Sequence, residues 1–172
     1  MPKRISITGP ESTGKSELAA NLARHYKTVY VPEYSREYLK DIGTDYSLED
    51  VLKIAQGQLA SEMKYLDMTN QYLFCDTDML VAKIWCREVY KKVPEWIERM
   101  LVEHPYDLYL LCYPDLEWQP DVLRENPENR EYLFEQFVKE LEHYNFNYRV
   151  VKGQDSERLK NAITFVDNYF AE

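Results

Sequence analysis

Gly9-Pro10-Glu11-Ser12-Thr13-Gly14-Lys15-Ser16 satisfies Gly-x-x-x-x-Gly-Lys-[Ser/Thr] at every specified position. It follows the apolar run Arg4-Ile5-Ser6-Ile7-Thr8, and it opens a segment in which Leu18, Leu22 and Ala23 recur on one helical face. A strand, a glycine-bearing turn and a helix N-terminus in that order make an anion cradle. Backbone N–H groups wrap a phosphate, the glycines permit approaches that a Cβ would block, and the helix adds its positive end. The loop therefore predicts a nucleotide triphosphate, ATP, held by Gly9, Glu11, Ser12, Thr13, Gly14, Lys15 and Ser16. Lys15 would place its charge on the β- and γ-phosphates and the Ser16 hydroxyl would ligate Mg²⁺. Average residue usage gives a chance match in a chain this long at roughly 1% or less. Two of only five glycines fall at the required positions, so glycine abundance does not explain the match.

Working outward, apolar runs alternate with helical patterns. Strands are expected at 4–8, 28–32, 72–77, 107–113 and 148–152, and helices at 15–26, 34–41, 48–69, 79–91, 95–103, 128–144 and 156–170. Ser47 before Leu48-Glu49-Asp50, and Asp155-Ser156-Glu157, are N-terminal helix signals. Such alternation predicts an α/β protein, with a parallel five-stranded sheet covered by helices on both faces. No repeat, linker or low-complexity tract divides the 172 residues, which are expected to form one domain, 1–172.

Three further stretches carry candidate chemistry. Tyr72-Leu73-Phe74-Cys75-Asp76-Thr77-Asp78 is an apolar strand ending in carboxylates, and an acidic residue there holds Mg²⁺ or its water in phosphate-loop proteins. Asp76 is the metal candidate; Asp78 either shares its face or caps the next helix. Val31-Pro32-Glu33-Tyr34-Ser35-Arg36-Glu37 follows the second strand, where residues line the ligand crevice of an open parallel sheet. Glu33, Tyr34 and Arg36 are thus acceptor-side candidates, although a solvated first helical turn would look the same. The polar, proline-punctuated segment 113–130 reads as a lid bringing Arg124 and Arg130 over a transferring phosphoryl group. Its Trp118 is either a substrate-facing ring or a packing anchor. Gly153, in the turn after the last strand, either approaches the adenine base or only makes that turn.

Composition bounds the rest. A net charge of −9 argues against a general nucleic-acid footprint, and the longest apolar runs stop far short of a membrane span. Met-Pro-Lys-Arg leads directly into the first strand without a signal-peptide core, so a cytoplasmic protein is expected. Cys75, Cys86 and Cys112 each lie in an apolar run and suit a reducing compartment. The sequence offers neither CxxC nor His-rich metal spacing, and His25, His104 and His143 each fall near an expected helix end. Asn-Lys-x-Asp and an Asp-x-x-Gly after the loop, the guanine-nucleotide signals, are absent.

In order and approximate spacing, Gly9–Ser16, Glu33-Tyr34-x-Arg36-Glu37, Asp76-Thr77-Asp78 and Trp118-x-x-Asp121-x-Leu123-Arg124 resemble the ribosylnicotinamide kinase domain of the NadR family. The resemblance covers nearly the whole chain. It implies a P-loop NTPase fold with an arginine-bearing lid, and an ATP- and Mg²⁺-dependent enzyme. Its reaction would move the γ-phosphate of ATP onto the 5′-hydroxyl of nicotinamide riboside, giving nicotinamide mononucleotide. On that reading Lys15, Glu33, Asp76, Arg124 and Arg130 are catalytic, Glu33, Tyr34, Arg36, Asp78 and Trp118 meet the nucleoside, and Tyr34, Trp85 or Trp118 offers a cation–π face to the pyridinium. Larger members add an adenylyltransferase domain with His-x-Gly-His and sometimes a DNA-binding helix-turn-helix; this sequence contains neither. The partner expected is a small-molecule nucleoside, with another nucleoside kinase or a P-loop ATPase or regulatory module as alternatives. Nothing in the sequence sets the oligomeric state.

Overall fold

The computed structural model describes residues 1–69, 71–125 and 127–171. Five parallel strands, β1 (Lys3–Thr8), β2 (Tyr30–Val31), β3 (Tyr72–Asp76), β4 (Leu108–Cys112) and β5 (Tyr148–Val151), form one sheet in the order β2-β3-β1-β4-β5. Central β1 pairs Ile5 with Phe74 on one side and with Leu108 on the other. The strand order reverses on the two sides of β1, which opens a crevice beyond the carboxyl ends of the strands. The phosphate loop leaves β1 at that crevice.

Alternation along the strands divides the core. Ile5, Ile7, Phe74, Leu108, Leu110 and Val151 pack beneath Leu18, Leu22, Ala162 and Val166 of α1 (Lys15–His25) and α7 (Asp155–Phe170). Leu73, Cys75, Tyr109 and Leu111 face the other way. There they meet α3 (Leu48–Leu66), α4 (Met79–Tyr90), α5 (Glu95–Glu103) and α6 (Arg130–His143). Strands β3 and β4 are buried throughout, as strands covered on both faces must be. All three cysteines are free and buried. Among the described residues no helix is long and apolar enough to cross a membrane.

Among the described residues five strands and seven helices fall where the pattern places them, with shifts at the ends. Strand β2 keeps only two of the five residues expected at 28–32. Thr28 Oγ1 instead donates to the Tyr72 carbonyl, and Pro32 has no N–H to extend the ladder. Helix α2 (Tyr34–Tyr38) stops short of 41 because residues 39–43 tighten into turns, Gly43 (φ 65°) donating its N–H to Leu39 O. Ser47 caps α3 reciprocally with Asp50, the capping box its sequence announces. His25 and His143 end α1 and α6, and His104 caps the end of α5.

Gly57 sits inside α3, where a glycine costs about 1 kcal/mol relative to alanine. The reason is Tyr34: a Cβ at 57 would lie 2.1 Å from Tyr34 Cε1. Through that ring α2 is seated on α3, which sets the position of Glu33 at its start.

Candidate functional site

The phosphate loop is wound by backbone, not by side-chain bulk. Ser12 (φ 56°) and Gly14 (φ 76°) both adopt left-handed conformations, and at Gly9 an added Cβ would meet the Cys112 carbonyl at 2.9 Å. Pro10 O accepts both Thr13 Oγ1 (2.7 Å) and Lys15 Nζ (2.6 Å). Helix α1 begins at Lys15 with no side-chain cap, so its first N–H groups remain available at the loop.

Around this loop opens a cavity of about 870 Å³, lined by residues 9–17 and also by the apolar side chains of Val81, Ile84, Trp85, Leu133 and Phe137. Glu33, Arg36, Thr77 and Arg124 line it too. Glu33 Oε1 accepts from Ser35 Oγ at 2.7 Å, and Arg36 Nε lies 3.6 Å from Glu33 Oε2. Arg36 Nη1 donates at 2.9 Å to Asp121 of the 113–129 segment. That segment lies closed on the loop: Gln119 N donates to Ser12 Oγ (2.8 Å), and Glu125 N to Glu11 Oε2 (3.2 Å). Tyr46 OH joins Glu125 at 2.6 Å and Trp85 Nε1 at 2.9 Å, so α4 is tied to the same closure. Asn126, within the expected lid, lies outside the described residues.

Asp76 stands at the end of β3 under the loop, 1% exposed. Its Oδ2 accepts from Ser16 Oγ at 2.5 Å, while its Oδ1 is buried without a partner. Burial first, and the nearby Glu33 carboxylate second, push its pKa up to about 6, against the pull of Ser16, Lys15 and Arg36. Two oxygens, one of them orphaned, suit Mg²⁺, a hard cation. Among the described residues no cluster of three or more His, Cys, Asp or Glu could hold a metal. An ion here would take its remaining positions from phosphates and water.

This carboxylate has an opposite effect on stability. Its folded pKa lies above the ordinary 3.8, so its stabilising contribution is full below pH 3.8 and lost as pH rises through about 6. At pH 7.5 ionised Asp76 therefore burdens the unliganded fold by as much as ~3 kcal/mol, at 1.36 kcal/mol per pKa unit. Asp76→Asn should raise the melting temperature of the unliganded protein by several degrees. A lower melting temperature in that variant at pH 7.5 would show that the carboxylate is compensated.

Five candidates lie outside the cavity lining, and for Asp78, Trp118 and Gly153 the structure takes the capping, packing and turn alternatives that the sequence left open. Asp78 is the N-cap of α4: Oδ1 accepts from Val81 N at 2.8 Å and Oδ2 from the Ser6 hydroxyl, with 3% exposure, so both oxygens are spent inside the fold. The ring of Tyr34 lies on Gly57, outside the cavity lining. Trp118 stacks beneath the Arg130 guanidinium, 5.7 Å from its centroid. Arg130 points its Nη1 at the Ser12 carbonyl (3.0 Å), gripping the back of the loop instead of the cavity. Gly153 (φ 100°) makes a turn whose N–H is held by Asp115 Oδ2 at 2.8 Å.

Sequence reasoning missed two residues. Gln58, 3% exposed, accepts from Tyr34 N (3.0 Å) and donates to Asp76 O (3.4 Å), joining the Glu33 and Asp76 segments. A glutamine among apolar positions of α3 was the available signal. Arg158, 4% exposed, is the fourth residue of α7 and reaches the phosphate loop from 145 residues away. Nothing local distinguishes it from a solvated arginine in a helical first turn.

Comparison with known proteins places this geometry. The Trifunctional NAD biosynthesis/regulator proteins NadR of Escherichia coli (strain K12) and Salmonella typhimurium are each 28% identical to the chain, over 183 and 181 residues. Each alignment covers 99% of this chain and 43% of the relative, so the chain spans less than half the length of these homologues. The crystal structure of NadR protein in complex with NR superposes with a TM-score of 0.85 at 21% identity, covering 99% of this chain and 51% of that one. Deoxyadenosine kinase from M. mycoides superposes at 0.64 with 13% identity, over 96% of this chain and 99% of its own. The fold is that of the P-loop kinases. A family model described as an AAA domain matches residues 4–158, and the chain belongs to that family, with homology to NadR running through its whole length.

Proposed function

We propose that this chain transfers the γ-phosphate of ATP to the 5′-hydroxyl of nicotinamide riboside. One observation carries the reading. The lining is not confined to the phosphate loop: Glu33, Arg36 and the apolar Val81, Ile84 and Trp85 share it, and about 870 Å³ leaves room for a second molecule. A hydrolase needs no such acceptor chamber. The homologous NadR proteins, named for NAD biosynthesis, and the likeness to NadR solved with NR support nicotinamide riboside as that molecule.

In this reading residues 1–172 are one kinase domain. Its buried, reduced cysteines suit the cytoplasm. Residues 9–16 hold the ATP phosphates, with Lys15 swinging from Pro10 O to the β- and γ-oxygens. Ser16 and Asp76 would hold Mg²⁺, which neutralises charge building on the bridging phosphates. Glu33 or Asp76 accepts a hydrogen bond from the attacking hydroxyl, and Arg36 orients Glu33 while linking it to Asp121. Arg124, on the lid, faces the cavity with Nη1 on Gln119 O and is placed to meet the transferring group.

Because Arg124 is half-exposed, its electrostatic effect is partly screened. Arg124→Ala should lower kcat about 30-fold, ~2 kcal/mol of transition-state stabilisation, with a smaller change in ATP affinity. Normal kcat in a soluble variant would make Arg124 a surface residue.

The overall reading is tested by ADP release with mass detection of the product, using nicotinamide riboside, uridine and no acceptor. Release that depends on nicotinamide riboside, with a phosphorylated product, is expected. Equal release in all three reactions would leave a P-loop ATPase, the reading that fits the AAA domain description by itself.

A further inference from the structure

Arg158 contacts the phosphate loop without lining the cavity, and its guanidinium is almost fully enclosed. Nη2 donates to Thr13 O (2.8 Å) and Tyr113 O (2.9 Å), and Nη1 to Gly153 O (2.9 Å) and Asp115 Oδ1 (2.7 Å). Three carbonyls and one carboxylate, drawn from the loop, the end of β4 and the end of β5, thus converge on one planar cation. Burying a guanidinium is costly unless its donors are met, and here both terminal nitrogens are engaged while Nε is buried without a hydrogen-bond partner among the described residues. An ion pair serving stability alone would need only Asp115.

The contact with Thr13 O has a geometric consequence. In a trans peptide the carbonyl and the following N–H point in opposite directions. Pulling Thr13 O outward therefore turns the Gly14 N–H inward, toward the concave side of the loop. Arg130 does the same one residue earlier: its hold on Ser12 O (3.0 Å) turns the Thr13 N–H inward. Ser12 and Gly14 both hold left-handed φ, a conformation costly for a serine, which persists only where surrounding contacts hold it.

We propose that Arg158, assisted by Arg130, is a positioning residue for phosphate binding, fixing the Thr13–Gly14 and Ser12–Thr13 peptide planes so that their N–H groups face the polyphosphate. The proposal rests on the reading of residues 9–16 as a phosphate site. It also gives the lid-end arginine a role behind the loop instead of over the transferred group. By holding Gly153 and Tyr113 in the same grip, Arg158 further ties the turns after β4 and β5 to the loop.

The experiment is calorimetric titration of the full chain with inorganic tripolyphosphate, and separately with nicotinamide riboside, for wild type, Arg158→Lys, Arg158→Met and Arg130→Ala. Lysine keeps the charge but can no longer grip both sets of oxygens. Arg158→Lys is expected to weaken tripolyphosphate at least 10-fold, Arg158→Met more, and Arg130→Ala about 5-fold, while nicotinamide riboside affinity stays within 2-fold. If Arg158→Met does not fold, the lysine variant and the part-exposed Arg130→Ala carry the comparison. Wild-type tripolyphosphate affinity in folded Arg158→Lys and Arg130→Ala overturns the proposal. A parallel loss of nicotinamide riboside binding also overturns it, since that indicates general loosening. No tripolyphosphate binding by wild type overturns the phosphate-site reading itself.

Discussion

Lys15→Ala is expected to abolish acceptor-dependent ADP release, by at least ~10³-fold or ~4 kcal/mol, while the melting temperature barely moves. The two halves of the expectation have separate grounds. Lys15 is part-exposed at the start of α1, and among the described residues its ammonium hydrogen-bonds to the Pro10 carbonyl at 2.6 Å, a loop contact and not core packing. A surface change of this kind stays within about 0.5 kcal/mol of stability. In a bound state the same ammonium would be the cation the loop holds against the phosphates, and charge on a transferring phosphoryl group is stabilised mainly by donors positioned in this way. Coupled ADP assays and a thermal melt on one preparation test both halves. Unchanged turnover in the folded variant would remove residues 9–16 from the chemistry.

Glu33→Gln should cut transfer to nicotinamide riboside about 10²-fold, ~2.7 kcal/mol, with ATP affinity nearly unchanged. The isostere preserves shape and the hydrogen bond from Ser35, and removes only the charge that Arg36 faces at 3.6 Å. A second effect accompanies the first. Glu33 is one cause of the raised Asp76 pKa, so the acid limb of the rate profile should move to lower pH. If Glu33 is merely a carboxylate at the start of α2, the loss is confined to less than ~1 kcal/mol of stability and transfer persists. Comparing both proteins with nicotinamide riboside, uridine and no acceptor decides between these outcomes.

Much of this architecture is written in short-range signals. Alternating apolar strands, the Ser47 box and the Gly-x-x-x-x-Gly-Lys-Ser turn each depend on residues within one or two turns of each other. The site was less legible. Asp78 and Asp76 stand two residues apart on a strand-like stretch, yet Thr77 takes φ 73° and sends the chain into α4, so one carboxylate reaches Ser16 while the other caps a helix. Tyr34 looks like a substrate-facing ring in the sequence because its partner, Gly57, lies 23 residues on, beyond any local pattern. Arg130 and Arg158 look alike in sequence, each near the start of a helix. Only the folded chain brings both behind the phosphate loop.

The sheet order has a bearing on how the molecule is made. Strand β1 lies at the centre of the sheet but is synthesised before both partners, residues 72–76 and 108–111, which do not yet exist when it emerges. At ~5–20 residues per second the nascent Ile5 and Ile7 wait several seconds for a neighbour, a window in which chaperones meet them. The delay is longer for the loop: the grip of Arg158 on Thr13 arrives only after 145 further residues have been added. ATP in the cell, which would stabilise the finished domain by mass action, can thus do little for the growing chain. A ribosome-bound chain truncated before residue 158 should fail to gain protease resistance from nucleotide, whereas the released protein gains it.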